Sequence, residues 1–244
     1  MRLLVAACLL AATTMFSPLA LAGYANGRID LAVSVGKPKQ HVFYVTEKIP
    51  VTPGPLTLYY PKWIPGEHGP DGPIGNVAGL FFKADGKPLT WHRDPVDMYT
   101  FHLDIPQGVS TLTVNFDLLP SRSDDSITPR LLVLEWNQVA LYPASLPTAK
   151  IDFVPSITLP AGWRYATALD TASHAGSTVT FAPVTFNNLV DSPLMAGEYF
   201  RQVDLSPGNP VHHYLDMVAD APQDLAITQP ELQGMHSLIV QANR

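Results

Sequence analysis

The sequence holds a single cysteine, Cys8, and that residue sits in an N-terminal stretch that reads as a removable leader. Without it the chain can form no disulfide and offers no thiolate to a metal or a substrate, which argues against a disulfide-stapled module and cysteine-based catalysis. Charge is also scarce. Charged residues make up 15% of the chain, against roughly 25% in an average soluble domain. The 15 Lys and Arg are scattered and the net charge is -6, so no electrostatic footprint for nucleic acid exists. No Asn-x-Ser/Thr glycosylation acceptor occurs. Nor does any apolar run reach the roughly 18 residues of a membrane span, because Thr13, Thr14, Ser17 and Pro18 interrupt the longest one.

Strings that announce catalysis are missing as well. A zincin needs His-Glu-x-x-His on a helix so that two imidazoles reach one face, and the chain has no such string. Gly-x-Ser-x-Gly is absent too. Of the eight histidines, His68 lies with Asp71 in turn-forming sequence, a pair that reads as a fortuitous metal site at most. His212 and His213 are adjacent in a predicted strand, where neighbouring side chains point to opposite faces. Asp124 and Asp125 read as solvated loop carboxylates between Arg122 and Arg130.

What the chain does have is an apolar run from Leu3, with Arg2 before it and Ala20-Leu21-Ala22 after it, the pattern of a secretory signal over residues 1–22. An exported chain without disulfides suits a bacterial periplasm. Hydrophobic residues make up 46%, enough for a sizeable core. Proline, at 24 residues, is about twice its usual frequency of roughly 5% and falls between short apolar runs. Those runs alternate. Ile29, Leu31, Val33 and Val35 form one dry face; Tyr99, Phe101, Leu103 and Ile105 a second; Leu112, Val114, Phe116 and Leu118 a third. Asp85-Gly86 reads as a hairpin turn, and further strands are expected near residues 40–49, 55–60, 131–136, 151–158, 177–181, 198–205 and 211–218. The expectation is an all-β, antiparallel β-sandwich of many short strands over residues 23–229.

At the far end the period changes. Leu232, Met235, Ile239 and Val240 recur at helical spacing, and Thr228 with Glu231 reads as a capping box. Residues 230–244 are therefore read as an amphipathic helix in need of a packing partner.

The most distinctive string is Tyr60-Pro61-Lys62-Trp63-Ile64-Pro65-Gly66-Glu67-His68-Gly69. Two prolines remove backbone donors and fix φ while Gly66 frees the turn, so sheet pairing must stop at a stiff corner. On local sequence Trp63 reads as a core plug, and Trp91, Trp136 and Trp163 likewise read as core rather than as a sugar platform.

Leu58 to Gly66, the hairpin through Asp85-Gly86-Lys87-Pro88-Leu89, and Asn188-Leu189-Val190-Asp191-Ser192-Pro193-Leu194-Met195-Ala196-Gly197 together resemble the N-terminal domain of the glycyl aminopeptidase family, family sixty-one of the metallopeptidases. The likeness covers roughly residues 25–243. It implies a β domain that precedes a thermolysin-like zinc domain, with residues 230–244 resembling the first helix of that domain. The family's zinc-binding segments would fall beyond Arg244, so the resemblance implies no catalytic or metal-binding residue and no cofactor in this chain, with zinc and a catalytic domain in cis belonging to the full-length protein. By location it implies a substrate-cleft border at Trp63, Pro65, Gly66, Glu67, His68, Asp191 and Ser192, facing a peptide substrate. The family usually has Ser or a similar residue and an aromatic after Pro-Gly, where this chain has Glu67, His68 and Gly69. The expected function is that of a non-catalytic N-terminal module of an exported zinc aminopeptidase-like enzyme, here truncated or a fragment. The alternative is a freestanding periplasmic sandwich that binds a peptide, glycan or protein.

Overall fold

Apolar residues at every second position bury one face of Ile29–Ser34 and Thr111–Leu118, and of Phe43–Pro50 apart from Glu47, which run through the middle of the largest sheet. A computed structural model describes residues 23–64, 66, 68–120, 127–208 and 210–242. The leader at residues 1–22, Asp124 and Asp125, and the candidate residues Pro65 and Glu67 lie outside the described residues.

The large sheet has nine strands. Across it run β13 (Thr171–Ala175), β14 (Thr178–Phe181), β11 (Asp152–Thr158), β1 (Ile29–Ser34), β2 (Phe43–Pro50), β8 (Thr111–Leu118), β4 (Val77–Ala84) and β5 (Lys87–Pro88), with β15 (Val184–Thr185) also paired to β11. A second sheet orders β10 (Tyr142–Pro143), β3 (Gly54–Tyr59), β7 (Thr100–Ile105) and β6 (Trp91–Arg93). A third orders β12 (Arg164–Thr167), β16 (Leu194–Gly197) and β9 (Leu131–Leu134), and β17 (Tyr199–Asp204) pairs with β18 (Tyr214–Ala219) as a ribbon. The two helices among the described residues are α1 (Phe186–Val190) and α2 (Gln229–Ala242).

The layers face each other through aromatic rings. Phe82 of the large sheet meets Trp91 and Phe101 of the second sheet at centroid distances of 5.5 and 6.3 Å. On the other flank, Phe153 of β11 stacks on Phe186 of α1 at 4.9 Å, and Phe186 meets Tyr142 of β10 at 5.0 Å. The short helix is thereby wedged between the two sheets, where it forms one wall of the site described below. The all-β expectation holds, with one refinement: β1 pairs β11 in parallel, from Ile29↔Phe153 to Ser34↔Thr158. A long excursion separates these strands, which is what a parallel neighbour requires.

Two expectations need correction. His212 and His213 precede β18 rather than lying in it, because the ladder ends at Asp204↔Tyr214. The His213 N–H instead donates to Ser206 Oγ at 2.7 Å, and the Leu205 N–H to the His213 carbonyl at 2.8 Å. The tryptophans are not alike either. Trp136 is fully buried, Trp91 and Trp163 are half-buried, and Trp63 is 66% exposed.

The capping box at α2 forms as its residues dictate. The Thr228 N–H and hydroxyl both donate to Glu231 Oε2 at 2.7 Å, and the Glu231 N–H returns to Thr228 Oγ1 at 3.4 Å. Those bonds hold the Glu231 carboxyl below its ordinary pKa. The helix is tied to the end of β17 through His236 Nδ1 and the Leu205 carbonyl, 2.7 Å apart. Its apolar stripe stays half-buried and Leu238 is exposed. Among the described residues no helix is long and apolar enough to cross a membrane.

Candidate functional site

The corner begins where β3 runs out. Tyr60 is buried, its N–H donates to the Tyr99 carbonyl at 2.9 Å, and its hydroxyl reaches the Gln138 carbonyl at 2.9 Å. Pro61 then ends regular pairing. The loop closes on itself when the Gly72 N–H donates to the Lys62 carbonyl at 3.2 Å. Closure demands glycine: a Cβ at position 72 would lie 1.9 Å from the Pro61 carbonyl oxygen. Gly66 turns with φ +92°, a conformation other residues seldom adopt.

Tyr99 braces the loop from beneath. Its hydroxyl donates toward the carbonyls of Pro70 at 2.7 Å and Gly72 at 3.0 Å, and its ring lies 5.4 Å under Lys62 Nζ. Lys62 in turn pairs with Asp97 Oδ1 at 3.2 Å. Burial pushes the Asp97 carboxyl up, but bonds from Lys62, the Tyr99 N–H and Thr100 outweigh it and leave its pKa below the usual value. Asp97 belongs to a turn organised by Asp94, which accepts the N–H groups of Val96 and Asp97 at 2.9 Å each and bonds His102 at 3.1 Å. Backbone donors, Asp97 before Val96, and then His102 bring Asp94 down to about 2. These contacts brace the base of the corner, from which a large indole stands in solvent.

Trp63 is thus not a core plug, and the physical reason is visible in its flanks. Tyr60 and Pro61 take the buried positions, so the chain is already turning outward at Lys62 and Trp63. Gly66 and His68 are exposed beside it. Asp191 and Ser192 stand at the C-terminal end of α1. Ser192 Oγ donates to the Asn188 carbonyl at 2.7 Å, while the Ser192 carbonyl accepts from Trp136 Nε1 at 3.0 Å and from Thr167 Oγ1 at 3.2 Å. That segment locks the buried Trp136 to α1 and β12.

The structure brings only part of the predicted set together. Trp63 and Ile64 share a cleft of about 130 Å³ with Val190, Phe186, Tyr142 and Asn137. Asp191 and Ser192 face a separate depression of about 380 Å³, with Leu169, Asp170 and Pro183. The helix α1 therefore stands between the two halves of the predicted border. Asn137 is the residue that sequence reasoning missed, because a single amide between Trp136 and Gln138 carries no pattern.

No three His, Cys, Asp or Glu side chains among the described residues are gathered closely enough to hold an ion. Both ring nitrogens of His102, the histidine nearest a carboxylate, are engaged, by Asp94 and by Thr57 Oγ1 at 3.1 Å each.

These features define an all-β domain of packed sheets with a braced corner at Lys62–Gly72. The family model of the Peptidase M61 N-terminal domain matches residues 30–198, and the chain belongs to that family. The structure is similar to that of an aminopeptidase N family protein from Idiomarina loihiensis, with TM-score 0.65 and 18% identity over 77% of this chain and 32% of that one. It is also similar to an M1 zinc metallopeptidase from Deinococcus radiodurans, with TM-score 0.46 and 15% identity over 84% of this chain and 50% of that one. The chain thus spans about a third to a half of the length of these structures. None of the curated proteins matches it in sequence.

Proposed function

We propose that this chain is the non-catalytic N-terminal module of an exported, zinc aminopeptidase-like metallopeptidase, and that its Lys62–Gly72 corner borders the substrate cleft formed with a catalytic zinc domain in cis. Residues 230–244 are read as the first helix toward that domain, and residues 1–22 as the export signal. The observation that carries the reading is the braced corner: a loop closed by Gly72, pinned by Tyr99 and clipped by Lys62 and Asp97, with Trp63 exposed beside these contacts. An apolar ring held out in solvent serves binding better than stability.

Two measurements test it. The purified chain is expected neither to bind zinc stoichiometrically nor to cleave peptides, and chelator-sensitive cleavage would refute the non-catalytic role. In the chain joined to a zinc domain of its family, Trp63→Ala is expected to raise KM with little change in kcat. An unchanged KM would remove the corner from the cleft.

A further inference from the structure

Asparagine is followed by glycine at one place in the sequence, Asn26-Gly27. The pairing has a chemical meaning, because the backbone nitrogen of the next residue can attack the asparagine side-chain carbonyl, and glycine has no side chain to crowd that approach. Every other asparagine among the described residues precedes a bulkier residue: Val, Phe, Gln, Asn or Leu.

The fold leaves this pair open to reaction. Tyr24 bridges Val51 and β1 begins at Ile29, so Asn26 and Gly27 fall between two anchored points and belong to no ladder. Asn26 is exposed and has φ +51°, a conformation asparagine adopts more readily than most residues. The Gly27 N–H, which must lose its proton before the nitrogen can attack, donates to no acceptor among the described residues. What holds Gly27 is its carbonyl, which accepts the Tyr24 hydroxyl at 2.5 Å. Both residues line an open depression of about 600 Å³ together with Arg28, Lys150 and Asp152, so water and hydroxide reach them. Two cations against one carboxylate do not oppose an anionic nitrogen there.

The aspartyl-glycyl pairs supply the contrast. At Asp71-Gly72 the nitrogen is engaged, since the Gly72 N–H donates to the Lys62 carbonyl. Asp85-Gly86 is exposed, but an ionised carboxylate repels a nucleophile that a neutral amide admits.

We propose that Asn26 is a site of spontaneous deamidation in the folded protein. The Gly27 nitrogen yields its proton to solvent and bonds to Asn26 Cγ; the Cγ–Nδ2 bond breaks, and Nδ2 leaves as ammonia after regaining a proton from water. The chain is left with a cyclic succinimide. Water then opens the ring at either carbonyl, giving aspartate or isoaspartate. Water is consumed and ammonia released, and nothing is oxidised or reduced. Either product adds a carboxylate to the depression shared with Arg28 and Lys150, and isoaspartate also lengthens the backbone beside the Tyr24 clasp on Gly27.

The test incubates the purified full chain in its folded state and follows the tryptic peptide ending at Arg28 by mass spectrometry, beside a synthetic peptide of residues 24–30. Asn26 is expected to gain about 1 Da before any other asparagine does, at a rate within about tenfold of the synthetic peptide's. Between about pH 6 and about pH 8 the rate should rise about tenfold per unit, following the deprotonated nitrogen. Asn26→Gln keeps an exposed amide but must close a larger ring, so its peptide should hold its mass over the same period. A folded rate more than about tenfold below the synthetic peptide's, another asparagine reacting first, a rate indifferent to pH, or an equal mass gain in Asn26→Gln would each overturn the proposal. None of these outcomes touches KM in the joined enzyme, so the cleft-border reading stands or falls separately.

Discussion

Glu47 stands in the dry face of β2, between Val45 and Ile49, and is fully buried. Its two oxygens accept the Leu141 N–H at 3.1 and 3.0 Å, and burial raises its pKa well above the ordinary 4.5 despite that bond. The folded protein therefore holds a neutral carboxyl where the unfolded chain releases a proton. A raised folded pKa places the stabilisation at low pH and removes it as pH climbs from about 4.5 toward the folded value. The slope from one group is at most about 1.4 kcal/mol per pH unit. Glu47→Gln abolishes that slope. It keeps an oxygen for Leu141 but buries two amide hydrogens, at a cost of about 1–3 kcal/mol if neither is bonded. The variant should be equal to or weaker than the parent near pH 5 and gain on it as pH rises, by at most about 1.4 kcal/mol per unit, until the folded pKa of Glu47 is passed. Urea unfolding at four pH values across this range measures the difference. Asp94, Asp97 and Glu231 have lowered pKa values, so their contributions fade only as pH falls below the ordinary carboxylate range and leave this window clear. Parallel stability curves for parent and variant would refute the reasoning.

At the corner, Gly72→Ala should destabilise by about 1–3 kcal/mol because its Cβ meets the Pro61 carbonyl, whereas Trp63→Ala should change stability by no more than about 0.5 kcal/mol; urea midpoints distinguish them. Trp136→Phe removes the bond to the Ser192 carbonyl and leaves a small void, for a loss of about 2 kcal/mol seen in the same assay. Thr228→Ala breaks the capping box and should cost α2 about 1 kcal/mol, read as faster amide exchange over residues 229–242 with the sheets unaffected.

Much of the fold could be read from periodicity because burial enforces it. β1, β2, β7 and β8 each show apolar residues at alternate positions, and each buries them. Two strands that periodicity does not announce lack that imprint, β13 being exposed at every residue and β12 largely half-buried, while β10, β15 and β16 are too short to display a period. At five residues, α1 is too short to display a helical period. Glu47 hid because a charged residue in an alternating run reads as a break in the dry face, while here it belongs to that face. The parallel partner of β1 could not be read, since nothing local to Ile29–Ser34 points to Asp152–Thr158. At the site, the Trp-x-Pro-Gly string located the corner, but the outward turn of Trp63 came from Tyr60 and Pro61 claiming the interior first. Asn137 had no such string, being one polar residue that the fold alone sets in the cleft wall.

The central placement of β1 has a consequence for biosynthesis. Its neighbours in the large sheet are β2, which follows within a few residues, and β11, which begins at Asp152. As the nascent polypeptide emerges, Ile29–Ser34 gains one companion early and then waits, with its other row of amides and carbonyls open, until more than a hundred further residues have been made. Such late closure makes for slow folding and an edge open to mispairing in the meantime. A folding helper that shields this strand, or brisk translation through the intervening stretch, should raise the yield of native protein.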